Sequence, residues 1–158
     1  GETILKLAVE GRGDVFIRLY TKEAPRTTAK IEGLTNDRFY DGLRFHRAIR
    51  SPRPYLLQFG APSSKSGNLD SESLLAEGTG KPIAFENSGL SNDAEGVVGL
   101  AANPNDRNSG DSQIYILLAP AKFLDGNYTV FGRIISGIEV VRKIEKGDKI
   151  VAATILKG

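Results

Sequence analysis

The chain has 158 residues, of which 40% are hydrophobic and 25% are charged, and these values are typical of one globular domain with a well-buried core. Its 21 basic and 19 acidic residues give a net charge of +2 without a basic block, so neither nucleic acid nor an anionic membrane is expected as a partner. The absence of cysteine excludes disulfides, thiolate catalysis and sulfur-bound zinc, and no apolar run approaches the roughly 20 residues of a membrane span.

The start of the chain predicts a β-hairpin followed by a helix. Apolar residues alternate over 3–9 and again over 15–20, and the glycine-bracketed turn between them predicts that the two strands pair. Thr21 is a candidate cap for a helix over 24–35, with Pro25 tolerated in the first turn. The apolar stripe of this helix is thin, so we expect it to lie across a surface as a lid.

The stretch 43–60, LRFHRAIRSPRPYLLQFG, is the most informative part of the sequence. Alternation in its first five residues predicts a strand that places Phe45 and Arg47 on one face and His46 on the other. After a loop broken by two prolines, an apolar strand resumes and carries Gln58. An arginine and a glutamine on neighbouring strands among apolar groups are typical of a small binding site. A hairpin with a surface arginine explains this stretch equally well.

The remainder of the chain predicts further short strands and a second helix. Residues 61–82 are rich in serine, glycine and charge and predict an excursion with little regular structure. Strands are predicted over 82–86, 97–102, 112–119, 129–135 and 150–156, with a turn-rich loop over 103–111. Apolar residues at every third position predict a helix over 137–146. The total of about eight antiparallel strands and two helices favours a closed barrel or a sandwich, and no linker or repeat divides residues 1–158, which we interpret as a single domain.

The residue types restrict the chemistry. His46 is the single histidine, no nucleophile-elbow pattern is present and no acidic residues have metal-ligand spacing. We therefore interpret His46 as a hydrogen-bonded structural residue and expect the carboxylates Asp70, Glu72 and Glu86 to face solvent. Rotation about the X-Pro peptide bond needs no nucleophile, metal or cofactor, because its barrier of about 18–20 kcal/mol arises from resonance. An apolar pocket for the proline ring and a guanidinium beside the prolyl nitrogen would serve this reaction.

Several motifs in order resemble the cyclophilin family of peptidyl-prolyl cis-trans isomerases. They are Phe45-His46-Arg47, Gln58, Ser112-Gln113-Ile114-Tyr115-Ile116, Phe123-Leu124-Asp125-Gly126 and Val130-Phe131-Gly132. The resemblance covers nearly the whole chain and implies a mostly β fold, a closed eight-stranded antiparallel β-barrel capped by two α-helices, with a binding groove on the barrel wall. It implies rotamase activity on proline-containing polypeptides in protein folding, without a metal or cofactor. We expect a monomer.

The resemblance also implies roles for individual residues. Arg47 corresponds to the catalytic arginine, and Gln58 to the glutamine that supports it and contacts substrate. The residues implied to bind substrate are Tyr55, Leu56, Ala101, Ala102, Gln113, Tyr115, Phe123, Leu124 and Tyr128. Among them, the backbone of Ala102 is expected to pair with the residue before proline. Tyr115 stands where phenylalanine normally floors the proline pocket, so it adds a hydroxyl group there.

Departures from the family pattern affect ligand preference. Phe123 replaces a tryptophan that is common in eukaryotic members, and with Tyr128 it makes the chain more similar to bacterial-type members. That indole N–H is implied to donate to cyclosporin, so phenylalanine predicts weak cyclosporin binding with activity retained. The loop between Arg47 and Tyr55 and the loop 103–111 are longer than usual. These loops and the altered pocket floor leave a second hypothesis open, a cyclophilin-like module that binds proline segments with little turnover.

Overall fold

The computed structural model describes residues 2–158, and within this range eight strands form one antiparallel sheet. They are β1 (Thr3–Val9), β2 (Gly13–Leu19), β3 (Arg47–Ala48), β4 (Leu56–Phe59), β5 (Val97–Leu100), β6 (Ile114–Leu117), β7 (Val130–Ser136) and β8 (Ile150–Lys157). Their order across the sheet is β3-β4-β6-β5-β7-β2-β1-β8. The predicted hairpin of β1 and β2 is confirmed.

The sheet forms an open half-barrel, so the prediction of a closed barrel was wrong. Its two edges are β3 and β8, and no ladder joins these two strands in the described part of the chain. Ahead of β3, residues 42–45 pair with residues 147–150 through an isolated antiparallel bridge between Arg44 and Lys149, and four backbone hydrogen bonds cross the gap at 2.7–2.9 Å. The sheet remains open beyond this bridge, because β3 is only two residues long and forms no ladder with β8.

Strand alternation divides the apolar side chains between two clusters. The larger core lies inside the half-barrel, where Phe45, Phe59 and Tyr40 pack with ring centroids 5.1–5.7 Å apart. A smaller cluster lies on the other face of the sheet, and its buried members are Leu56, Val97, Tyr115, Leu117, Ala121, Leu124 and Val130. Because successive side chains of β4 point to opposite faces, Leu57 enters the core while Gln58 faces outward.

Helix α1 (Pro25–Asn36) confirms the first predicted helix, but its cap differs. The N-cap position does not fall on Thr21, and the carboxylate of Glu86 accepts hydrogen bonds from the N–H groups of Arg26 (3.1 Å) and Thr27 (3.0 Å). Burial opposes ionisation of Glu86, yet these hydrogen bonds outweigh it, and the pKa of Glu86 lies below its usual value. The expectation that Glu86 faces solvent was therefore wrong, because this carboxylate is buried against the helix N-terminus.

Helix α2 (Ile138–Val141) is much shorter than the helix predicted over 137–146. Beyond Val141 the backbone continues in tighter turns with i→i+3 hydrogen bonds. The guanidinium of Arg50 donates to three carbonyl groups between Val141 and Ile144, at 2.6–3.2 Å. These carbonyls lie at the C-terminal end of the helix, where acceptors lack a full set of helical partners, so Arg50 satisfies them and also holds the loop that follows β3.

Residues 82–86 do not form the predicted strand. Only Ile83 makes a β-bridge, to Gly110, and its N–H donates to the Gly110 carbonyl at 2.8 Å. The next N–H groups donate to side chains of neighbouring loops, that of Phe85 to the Asn108 amide oxygen (2.9 Å) and that of Glu86 to the Thr129 hydroxyl (3.0 Å). The excursion 61–82 has little regular structure, as predicted, with short 3₁₀ turns at Pro62–Lys65 and Glu72–Ala76. From residue 2 to residue 158, no helix has the length and apolar character needed to cross a membrane.

Candidate active site

A cavity of about 770 Å³ opens on the outer face of the sheet, over β4 and β6. Ten of the eleven predicted site residues line it, namely Arg47, Tyr55, Leu56, Gln58, Ala101, Ala102, Gln113, Tyr115, Leu124 and Tyr128. The remaining one, Phe123, lies outside the cavity. The structure therefore brings together residues that are up to 81 positions apart, from Arg47 to Tyr128.

Arg47 reaches this cavity because the chain breaks its alternation just before β3. Arg47 pairs with Gln58 across the β3–β4 ladder, and the His46 N–H also bonds to the Gln58 carbonyl at 3.1 Å. His46 and Arg47 are thus both opposite Gln58, as two residues opposite one are in a β-bulge. Phe45 is fully buried in the core while Arg47 lines the outer cavity, so the prediction that they share a face was wrong. The Arg47 Nη1 donates to the Gln58 Oε1 at 2.7 Å.

A buried chain of side-chain amides continues from Gln58. Its Nε2 donates to the Gln113 Oε1 at 2.7 Å, and the His46 Nε2 lies 3.1 Å from the same oxygen. The Gln113 Nε2 donates to the carbonyls of Leu74 (2.6 Å) and Glu77 (3.0 Å). An amide has two acceptor positions and two donor hydrogens, so Gln113 is saturated by protein groups.

His46 is a buried, hydrogen-bonded histidine, which confirms the interpretation of it as a structural residue. Burial lowers the pKa of His46 to about 4, and the positive charge of Arg47 acts in the same direction. The ring is therefore neutral at pH 7, and because the Gln113 Oε1 can only accept, the His46 Nε2 carries the proton. The His46 Nδ1 is buried and has no hydrogen-bond partner among residues 2–158.

An apolar pocket adjoins the arginine. Leu56, Tyr115 and Leu124 are buried in its wall, and the ring of Tyr128 meets that of Tyr115 edge to face, with centroids 6.2 Å apart. This combination of an apolar pocket and a few fixed polar groups suits a small cyclic side chain such as proline.

The added hydroxyl of Tyr115 is turned away from the cavity. It donates to the Oδ1 of Asn92 at 2.5 Å, and Asn92 is fully buried and does not line the cavity. Burial also raises the pKa of Tyr115, so the hydroxyl stays protonated. A Cβ atom at Gly99 would lie only 2.2 Å from this hydroxyl, so glycine at that position makes room for the tyrosine.

The rim of the cavity carries an aromatic pair and an open backbone segment. Phe123 is 72% exposed, and its ring centroid lies 5.8 Å from that of Tyr55. The Ala101 N–H donates to the Gln113 carbonyl at 2.9 Å. The N–H and carbonyl of Ala102, in contrast, make no hydrogen bond to any residue that the structure describes.

The family model of the cyclophilin type peptidyl-prolyl cis-trans isomerase/CLD matches residues 4–157. The chain belongs to this family. A probable peptidyl-prolyl cis-trans isomerase of Brucella suis is 35% identical, with 90% of this chain and 78% of the relative covered. Peptidyl-prolyl cis-trans isomerase B of Bacillus subtilis is 32% identical, and the match covers 89% of each chain.

The solved structures agree with this cyclophilin's fold. A cyclophilin type isomerase of Cryptosporidium parvum, crystallised in the presence of the dipeptide Ala-Pro, has a TM-score of 0.81 at 21% identity and covers 98% of this chain and 99% of its own. The resemblance found in the motifs is thus confirmed, as is the assignment to the isomerase class. None of these comparisons supports a binding module without turnover.

Sequence reasoning missed several residues around the cyclophilin groove. Asn92 orients Tyr115 but was not among the predicted site residues, and its side-chain amide donates in turn to the Asp125 carboxylate at 2.8 Å. Glu72 and Leu75 line the cavity from within the excursion. Leu75 is 51% exposed, and a large apolar residue in such a polar segment is the signal that could have identified this wall.

Proposed function

We propose that this chain catalyses rotation about X-Pro bonds in polypeptides, with Arg47 as the catalytic cation. The observation that carries this proposal is the guanidinium of Arg47, fixed by the Gln58 Oε1 at 2.7 Å on the wall of an apolar pocket. A guanidinium stays charged and presents donors in a rigid fork, so one side can be anchored while other N–H groups face a substrate.

The proline ring would occupy the pocket formed by Leu56, Tyr115 and Leu124. As the amide bond twists, the prolyl nitrogen becomes pyramidal and its lone pair is no longer delocalised into the carbonyl group, so the nitrogen can accept a hydrogen bond from Arg47. This interaction is weak in the planar ground state and strong in the twisted state, so it lowers the barrier instead of only tightening binding. The open N–H and carbonyl of Ala102 would hold the residue before proline in register.

The other predicted site residues fit supporting roles. Tyr55 and Tyr128 border the pocket and contribute apolar surface, and Phe123 extends this surface at the rim. Gln58 orients the arginine and keeps one N–H free for substrate. We further propose that residues 1–158 act as one domain and a monomer, and that the clients are proline-containing polypeptides during folding.

The test is a protease-coupled peptide assay on the wild type and on Arg47→Ala. We expect kcat/KM to fall about 10²-fold or more, which corresponds to roughly 2.7 kcal/mol, while the circular dichroism spectrum is unchanged. Arg47→Lys is the matched control, because it keeps the charge but loses the fork that binds Gln58. Near-wild-type turnover in a folded Arg47→Ala would exclude the mechanism. Peptide binding without any turnover in the wild type would instead favour the binding module.

A further inference from the structure

The cavity extends beyond the proline pocket. Its volume of about 770 Å³ lies well within the range of pockets that enclose drug-sized ligands, roughly 300–1,000 Å³. Part of its wall is formed by Glu72, Leu75, Ala76 and Glu77, from the excursion that follows β4. A polypeptide whose proline occupies the pocket therefore meets a second surface.

This second surface is held firmly against the catalytic network. The amide of Gln113, which is 4% exposed, donates to the carbonyls of Leu74 and Glu77 and accepts from Gln58, the partner of Arg47. The side chain of Leu74 is buried beneath the segment. The 3₁₀ turn is thereby anchored at two carbonyls, and the side chains on either side of Leu74 are presented at defined positions.

The exposed side chains of this wall combine an apolar surface with a free negative charge. Leu75 is 51% exposed, and Glu72 is exposed and makes no hydrogen bond or ion pair with its side chain within residues 2–158. Asp111 also lines the cavity, but its carboxylate forms an ion pair with Lys30, with 3.1 Å between the Lys30 Nζ and the Asp111 Oδ1. Glu77 has no cationic partner in the described chain, although the Ser63 N–H donates to it at 2.9 Å.

We propose that Leu75 and Glu72 form a specificity subsite for a lysine or arginine side chain of the polypeptide substrate. Lysine and arginine pack their aliphatic stems on apolar surface and keep the charged head at a polar edge, which matches a leucine beside a free carboxylate. The subsite rests on the proposed isomerase function, since it is occupied by the chain whose proline lies in the adjoining pocket. It selects substrates with a basic residue close to the X-Pro bond.

The test uses a series of peptides that contain the sequence Ala-Pro. Each peptide carries lysine, arginine, norleucine or glutamate at one position, chosen from the four nearest positions on either side of the Ala-Pro pair. At the best position we expect kcat/KM to be about two- to fivefold higher for lysine than for norleucine, as for an exposed charge pair. The preference should shrink in about 0.5 M salt, because screening weakens exposed pairs. Glu72→Gln should abolish it, and Glu72→Lys should reverse it toward glutamate.

Glu10→Gln is the matched control. Glu10 is an exposed carboxylate after β1, outside the cavity, and its substitution changes the net charge by the same amount. Equal kcat/KM for lysine and norleucine peptides in the wild type would overturn the subsite, as would a lysine preference that survives in Glu72→Gln. Calorimetric Kd values for the same peptides test the lysine preference independently of turnover. Loss of turnover on every peptide, including the uncharged ones, would instead refute the proposed function.

Discussion

The side chains around the groove differ in how much hydrogen-bonding capacity they keep for a ligand. Arg47 uses one Nη1 hydrogen on Gln58, so most of its donors remain available. Gln113 keeps none, because His46, Gln58 and two backbone carbonyls occupy its amide. We therefore interpret Gln113 as a positioning residue and not as a substrate contact, which differs from the role that the family resemblance implied.

The low pKa of His46 predicts how stability depends on pH. An unfolded histidine takes up a proton below about pH 6.5, whereas folded His46 does so only near pH 4. Because the unfolded state binds more protons in this window, the free energy of unfolding should fall by up to about 1.4 kcal/mol per pH unit from pH 6 to pH 4.5. Urea denaturation at intervals of half a pH unit measures this fall in the free energy of unfolding.

His46→Gln is the control for this effect, since the amide can still donate to Gln113 but does not titrate. The free energy of unfolding of this variant should be nearly constant over the same pH window, before carboxylate protonation begins at lower pH.

The kcat/KM of the wild type should also be nearly constant between about pH 6 and 8, because no group assigned to the reaction titrates there. An inflection of kcat/KM near pH 6.5 would show that His46 ionises with an ordinary pKa and contradict its buried, neutral state.

Phe123 predicts weak inhibition by cyclosporin. Its ring stands on the rim beside Tyr55 and is 72% exposed, so it offers apolar surface but no N–H donor. A buried ligand carbonyl left without a partner costs about 1–3 kcal/mol. We expect Phe123→Trp to bind the drug about tenfold more tightly while peptide turnover changes little. Equal inhibition of both forms, titrated in one peptide assay, would mean that the missing donor does not control affinity.

At the scale of elements, the Glu72–Ala76 turn of the excursion after β4 is tied to the sheet by the side chain of Gln113. Gln113 stands at the start of β6 and reaches the carbonyls of Leu74 and Glu77. The excursion is otherwise poor in regular structure, so these two hydrogen bonds have a large share in placing the Glu72–Ala76 turn. The Arg47–Gln58 pair and the cavity wall at Glu72–Ala76 are consequently held by the same amide.

Gln113→Leu should loosen both the Arg47–Gln58 pair and the cavity wall at Glu72–Ala76. The substitution removes every hydrogen bond of this amide, so we expect kcat/KM on an uncharged Ala-Pro peptide to fall about tenfold, with a destabilisation of about 1–3 kcal/mol. Limited proteolysis should cut residues 66–77 faster than in the wild type. Tyr115→Phe is a matched control on the same strand, because it removes a buried hydrogen bond that does not touch the excursion. Unchanged cleavage in Gln113→Leu would show that other contacts hold the turn.

At the scale of the whole molecule, the half-barrel is held across its open side by one short antiparallel bridge, between Arg44 and Lys149. The amides of Gly42, Phe45, Gly147 and Ile150 donate across the gap at 2.7–2.9 Å, whereas the central strands share continuous ladders. Local opening is easier where fewer bonds must break together. The gap is therefore expected to be the weakest seam of the sheet.

Hydrogen exchange measures this difference. We expect the amides of Phe45 and Ile150 to exchange about 10²-fold more slowly than the unbonded amide of Ala102, but faster than those of β6. Ala102 is the internal control because its N–H has no partner in residues 2–158. If Phe45 and Ile150 exchanged as fast as Ala102, the hydrogen bonds across the gap would not persist in solution.

The sequence by itself predicted most of the strands and the residues proposed for the site. The alternation of β1 and β2 can be read from the sequence because one face of each strand must be buried, which places an apolar residue at every second position. The ordered motifs also identified ten residues that line one cavity, since those residue types in that order specify the family.

Tertiary structure alone decided the features that depend on contacts between distant segments. The bulge that turns Arg47 outward needs the carbonyl of Gln58, the cap of α1 comes from Glu86 some 60 positions away, and Gln113 meets Leu74 across 39 positions. A local pattern records which side chains must be buried, but it carries no information about the distant partner that a polar group will find. The short α2, the open half-barrel and the groove wall at Glu72–Ala76 therefore became visible only in the folded chain.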